Sequence, residues 1–299
     1  MSGLGSQIAA SDFVNIQNKA ESLLGTGAVT RGYGQTVQSA DVFTGNEITK
    51  AQWDALRYDI VNIRFHQDGV LPGIITVNVG DPIGYGALSP NTNYDTLVET
   101  AIANRFLLAN NQSVVSNKGT STTSSAWSNS ASMEITITFA NANTARYFFN
   151  SGGKIRITPT LASGSGTAQV NAWINFLTSV GTRSFGAGTD PTINYYTLTN
   201  VYQTYYQNSL STPYSANNIN FSAKTNVAAN SAGTATILYL RVTLNDAYVD
   251  SDPVLPPIDQ VNGNLNISID EIKAAGSLIP SGLFSIASPI YSLSIITVS

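Results

Sequence analysis

The clearest periodicities in the chain are of two kinds, and they occupy different stretches. Met133, Ile135, Ile137 and Phe139 alternate with Ser132, Glu134, Thr136 and Thr138, which predicts a strand with one dry and one wet face. Tyr147, Phe148 and Phe149 then run into Asn150-Ser-Gly-Gly. Ile155 and Ile157 alternate with Lys154, Arg156 and Thr158 beyond it, so the stretch from Ala145 to Ile157 predicts a β-hairpin. Further strands are expected over Ile219 to Val227, over Ala235 to Leu244 and over Leu265, Ile267 and Ile269. The near-continuous apolar run Ile237-Leu-Tyr-Leu-Arg-Val-Thr-Leu predicts a central strand. A short strand is also expected at Ile74, Thr76 and Val77.

Helical spacing appears in four places. Ser11 can cap a helix carrying Phe13, Val14, Ile16, Ala20 and Leu23 and ending at Gly25. Thr49 and Gln52 form a capping box ahead of Trp53, Leu56, Ile60 and Ile63, with Lys50, Asp54, Arg57 and Arg64 on the opposite face, which reads as solvated in preference to a charged docking surface. From about Asn91, an apolar stripe of Tyr94, Leu97, Val98, Ala101, Ile102 and Phe106 predicts a third helix. Val170, Trp173, Leu177 and Val180 predict one that crosses over the sheet and buries Trp173. Thr26 to Gly45 reads as an extended connection, and the Ser, Thr and Asn of Asn110 to Asn129 as either a surface loop or a β-edge, the low complexity favouring the loop.

Together these elements predict an α+β chain in three parts. Residues 1–80 form a helical N-terminal module, 81–252 a central antiparallel, sandwich-like β-rich domain with packed helices, and 253–299 a proline linker and assembly arm. The linker is Pro253, Pro256 and Pro257, and the earlier boundary falls in the Gly- and Pro-rich Gly80 to Pro90. The tail from Leu278 to Ser299 carries Ile279, Leu283, Phe284, Ile286, Ile290, Leu293, Ile295, Ile296 and Val298 with no charged side chain, and is too small to own a core. It is expected to pack on a neighbouring subunit in preference to its own domain.

Composition bears on the surface and on possible partners. Charged residues make up 11% of the 299, against about 25% in ordinary globular chains, while 42% are hydrophobic. Disorder is disfavoured, and solubility rests on neutral polar side chains or on surfaces consumed by partners. A net charge of −4 argues against a broad grip on nucleic acid. With no cysteine there is neither a disulfide nor a thiolate metal site. No stretch approaches the ~20 apolar residues of a membrane span, and the first residues lack the pattern of a secretory signal, so synthesis in the cytoplasm is expected.

Candidate chemistry is sparse. The Gly-x-Gly of Arg31-Gly-Tyr-Gly lacks the preceding strand, third glycine and Lys-Ser/Thr of a phosphate loop. His66, the single histidine, has no nucleophile motif beside it and reads as a helix-terminal dipole contact. Asp54, Asp59, Asp95, Glu99 and Glu134 could pair for glycosidic cleavage only if the fold brings two of them together, and the chain has no β-helix repeat. Asp246, Asp250 and Asp252 match no calcium-loop pattern. No catalytic residue, metal or cofactor is expected. Tyr195, Tyr196, Tyr202, Tyr205 and Tyr206 form a tyrosine-rich strand region whose rings suit a core edge, a protein interface or a glycan platform.

Arg146 to Ile157, with Ser132 to Phe139, Asn91-Thr-Asn-Tyr-Asp-Thr-Leu, Arg31-Gly-Tyr-Gly-Gln-Thr-Val and Gly233-Thr-Ala-Thr-Ile, resembles the structural proteins of tailed-bacteriophage virions. The resemblance is closest to contractile-tailed phages of cyanobacteria and extends to about Tyr248. It implies a non-enzymatic, tail-associated virion component that assembles with other copies of itself and with neighbouring virion proteins, in the tail, baseplate, neck or an attached fibre. Interface candidates are the five tyrosines together with Leu283, Phe284, Ile290 and Ile295. The alternative is a receptor-recognition protein that meets a host glycan through the tyrosines or through Asn110 to Asn129.

Overall fold

The computed structural model describes residues 10–43, 45–72, 94–164, 166–249 and 260–299. The expected strand at Ile74 to Val77, the Gly80 to Pro90 boundary, the linker prolines, Asp250 and Asp252 lie outside them. Among the described residues the chain is α+β, with helices and two antiparallel β-sheets. No helix among them is long and apolar enough to cross a membrane. The chain forms two compact units that do not follow the expected order of domains. One comprises 1–114, 143–153 and 273–288, and the other 115–142, 154–272 and 289–299.

The first unit is built on α1 (Ala10–Leu24), α2 (Lys50–Asp68) and α3 (Tyr94–Ala103), which pack on one another. The capping box at Thr49 and Gln52 starts α2 as its sequence requires, and Gly69 in the left-handed region ends it. Trp53 is the hub: its ring meets Phe13 and Tyr94 edge-on, each at 5.2 Å. The charged face of α2 is laced with ion pairs, Lys50 with Asp54 and Arg64 with Asp68.

The expected hairpin is not formed. Ala142–Asn150 is a helix, α4, and only the second half of the stretch is a strand. Adjacent Phe148 and Phe149 would point to opposite faces of a strand, whereas Ala145, Phe148 and Phe149 share one helical face and are all fully buried. The other side of α4 holds the connection after α1. Arg146 donates to the carbonyls of Val29, Gly27 and Arg31 at 3.1–3.2 Å, and Asn150 donates to that of Arg31 at 2.9 Å. Tyr33, the centre of the Arg-Gly-Tyr-Gly feature, is buried, and its hydroxyl donates to Arg105 O at 2.8 Å.

The tail does not wait for a neighbour. Its first part lies against α2 and the 33–39 segment of its own chain. The Asn62 amide both donates to Ile279 O (3.0 Å) and accepts from Ile279 N (2.7 Å), and Gln35 makes the same two-way contact with Ser285. Phe284 and Ile286 are buried there. Backbone pairing and a ready apolar cleft are available in the same molecule, so docking in cis needs no second chain.

The second unit is a sandwich of two sheets. One has the order β1 (Ser113–Thr123), β8 (Asn264–Ala274), β3 (Lys154–Ala162), β4 (Arg183–Gly186). The other runs β10 (Thr297–Val298), β2 (Ser130–Thr138), β7 (Ile237–Asn245), β6 (Asn218–Thr225), β5 (Gln203–Ser209), and β9 (Ile290–Leu293) also pairs with β2. As expected, β7 is central, flanked by β2 and β6. It is nevertheless buried on alternate residues only: Leu238, Leu240, Val242 and Leu244 face inward with Ile135 and Ile137 of β2 and Phe221 of β6. Contacts between inward residues of the two sheets join them, Phe185 of β4 with Tyr205 of β5 (5.1 Å) and Glu271 of β8 with Tyr291 of β9.

Two other expectations change in this unit. The polar Asn110 to Asn129 is largely the edge strand β1, because alternating Ser and Thr suit a strand that buries little: Thr120 and Thr122 hydrogen-bond Ser268 and Asn266 of β8. The tyrosine region is not one strand, since Tyr195 and Tyr196 precede β5 and are buried, Tyr195 donating to Ala235 O at 2.8 Å. Asp246 is buried under Gln169, whose amide donates to both carboxylate oxygens at 2.9 Å, and under Asn217, which donates to one of them. The expected helix α5 (Ala168–Val180) forms with Trp173 buried and packs on β3.

Candidate functional site

Alternation along β2, β7 and β6 sends half of their side chains to the outer face of the six-stranded sheet. Register places Glu134 opposite Arg241 and Thr136 opposite Tyr239, while Ser222 and Lys224 flank them from β6. Arg241 donates to Glu134 Oε2 at 2.8 Å. Tyr202, just before β5, donates its hydroxyl to the same oxygen. The Tyr202 ring also carries both cations, the Arg241 guanidinium 4.0 Å and the Lys224 ammonium 4.5 Å from its centroid, with Lys224 4.9 Å from the Tyr239 ring.

The electrostatics follow from these contacts. The hydrogen bond from Tyr202, aided by Arg241 and Lys224, holds the Glu134 carboxyl below its usual range despite partial burial. Burial and the adjacent carboxylate push the Tyr202 phenol well up. The Glu134 carboxyl is therefore ionised across the neutral range, and the cluster is reachable, with Glu134 34% and Arg241 42% exposed.

Beside it lies an open cleft of about 480 Å³ between Arg241 and the β9–β10 connection. Ser294 fixes that wall, since its hydroxyl accepts from Glu134 N and donates to Glu134 O, both at 2.9 Å. Ser132, Thr243 and Thr297 complete the polar lining. Sequence reasoning missed Tyr239, Arg241, Lys224 and the cleft. The available signal was charge placed at wet positions of otherwise apolar strands, Glu134 inside Met133 to Phe139 and Arg241 inside Ile237 to Leu244.

The anticipated interface residues separate into two groups. Tyr205 and Tyr206 serve the sandwich: Tyr205 packs on Phe185 and Phe221, and Tyr206 lies under the Arg183 guanidinium at 3.8 Å, accepting from it at 2.8 Å. With Tyr195, Tyr196 and Phe284 buried, and Tyr202 in the outer cluster, no tyrosine platform forms. Leu283, Ile290 and Ile295 are 71%, 74% and 81% exposed.

Other candidate groups are structural. His66 is buried against Phe284 and Tyr33, its Nε2 3.0 Å from Ser151 O, and burial lowers its pKa to about 3, so it is a neutral donor and not a charged dipole contact. Asp59 is buried and accepts from Gln38 N, Ser39 N and the Ser39 hydroxyl, while Asp95 and Glu99 share Lys19. Among the described residues no group of three or more His, Asp or Glu could hold a metal ion. No family model matches the chain, and no curated protein or solved structure matches it either.

Proposed function

We propose that the chain is a non-enzymatic structural subunit of a tailed-phage virion, built into the tail, baseplate, neck or an attached fibre by contacts with other copies and with neighbouring proteins. One observation carries this reading: Leu283, Ile290 and Ile295 project into solvent from a tail whose Phe284, Ile286 and Ile296 are seated in the same chain. Large aliphatic side chains held outward on anchored backbone are preorganised contacts, and burying each one on a partner stabilises an interface by about 1.5–3 kcal/mol. The scarcity of charge and the resemblance to phage virion proteins support the same reading.

Antibody labelling of intact virions places the chain on the particle in this reading. Substituting Leu283→Ser, Ile290→Ser and Ile295→Ser together leaves the fold intact and reduces incorporation. Purified particles that lack the chain would overturn the proposal.

A further inference from the structure

We infer that the cleft on the outer face of the six-stranded sheet binds a neutral, polyhydroxylated ligand, a pyranose unit of a glycan. The inference is independent of the virion reading and of the tyrosine platform, which the fold does not form.

Unused hydrogen-bonding capacity is gathered in this cleft. Glu134 Oε2 is occupied by Tyr202 and Arg241, whereas its other oxygen accepts nothing from the described residues. Arg241 gives one amino group to Glu134 and also meets the Tyr202 hydroxyl, which leaves part of its five-donor fork for the cleft. The hydroxyls of Ser132, Thr243 and Thr297 line the same cleft without engaging another described side chain. Acceptors and donors therefore alternate around one concave space. A sugar hydroxyl donates and accepts at once, so neighbouring hydroxyls on a ring match such an array. A free anion would meet the open carboxylate oxygen, and a cation would meet the guanidinium.

Preorganisation favours binding. Arg241 is clamped between the Tyr202 ring and the Glu134 carboxylate, so little side-chain freedom is lost when a ligand docks. Ser294 holds the opposite wall to the backbone of Glu134. The volume of about 480 Å³ falls within the usual range of small-ligand sites. Because the cleft is open, it suits one or two units of a longer chain.

Saturation-transfer NMR on the full chain tests this, with the methyl glycosides of glucose, galactose and mannose and with glucuronate at millimolar concentration. At least one neutral glycoside is expected to bind, and more tightly than glucuronate. Thr243→Phe fills the cleft and should weaken binding roughly ten-fold or more, while Thr160→Phe on the outer face of the other sheet leaves it unchanged. Glu134→Gln keeps the volume, removes the charged acceptor, and gives the same loss should Thr243→Phe disturb the sheet. Failure of every neutral glycoside to bind, preference for glucuronate, or binding that survives both cleft substitutions overturns the inference.

Discussion

The imidazole of His66 lies flat on the ring of Phe284, with centroids 4.3 Å apart and planes 9° from parallel. That stack joins α2 to the docked tail, and it exists with the imidazole neutral. Folded His66 has a pKa near 3 against 6.5 when exposed, so the unfolded chain takes up a proton that the folded chain refuses. The contribution is complete above pH 6.5 and is lost as the pH falls toward 3. From pH 7 to pH 5 it amounts to about 2 kcal/mol. Urea titrations should show that loss in the wild type and a smaller one in His66→Phe.

Asp59 bears the opposite relation to pH. Burial raises its carboxyl even though Ser39 and Gln38 donate three hydrogen bonds to it, at 2.6–2.9 Å. Its charged form is tolerated only because those donors are present. Asp59→Ala leaves two backbone N–H groups and a hydroxyl facing an apolar gap, a cost of about 3 kcal/mol. Asp59→Asn keeps an acceptor and should cost less. Chemical denaturation of the two variants gives the ordering.

How far the sequence could be read depends on whether a rule concerned near or distant residues. The capping box of α2, the stripe of α5 and the alternation of β2 and β8 involve neighbours, and they form as expected. Tyr147 to Phe149 misled because aromatic residues favour strands, yet the carbonyls after α1 offered Arg146 and Asn150 a reason to sit on a helix. The docked tail and the cation-bearing Tyr202 depend on residues far apart in sequence, Asn62 with Ile279 and Tyr202 with Glu134, which no local period encodes. The five tyrosines looked equivalent and are not, because a buried turn and a strand edge use the same ring differently.

Gly34 shows a tight approach that local composition cannot reveal. Its φ is +68°, and a Cβ there would stand 2.4 Å from the Tyr147 ring. Gly45 also has a positive φ, +91°, but a Cβ there meets nothing within 4 Å. Gly34→Ala should therefore cost more than the ~1 kcal/mol of backbone strain expected for Gly45→Ala, because the Tyr147 ring or the contact of α4 with the connection after α1 must also shift. Thermal unfolding of both variants measures the difference.

A buried side-chain contact helps to keep β9 in place. Glu271 is fully buried on the inner face of β8, its carboxylate 3.3 Å from the Lys118 ammonium and accepting from the Tyr291 hydroxyl at 2.8 Å. Burial, with the nearby carboxylate, pushes the Tyr291 phenol strongly up, so it remains a donor throughout the neutral and mildly alkaline range. Only four residues of β9 pair with β2, so this one side chain is a large share of what holds the strand. Tyr291→Phe keeps the ring and removes the donor, taking one hydrogen bond from the buried carboxylate at a cost of about 1–3 kcal/mol. Amides of 290–293 should then exchange faster than those of β7. Once β9 lifts, the edge of β2 at Ile135 and Ile137 is uncovered and can pair with another chain. Tyr291→Phe is accordingly expected to self-associate at concentrations where the wild type does not, and light scattering across a dilution series measures it. Equal exchange rates in the two proteins would mean that backbone pairing alone holds β9.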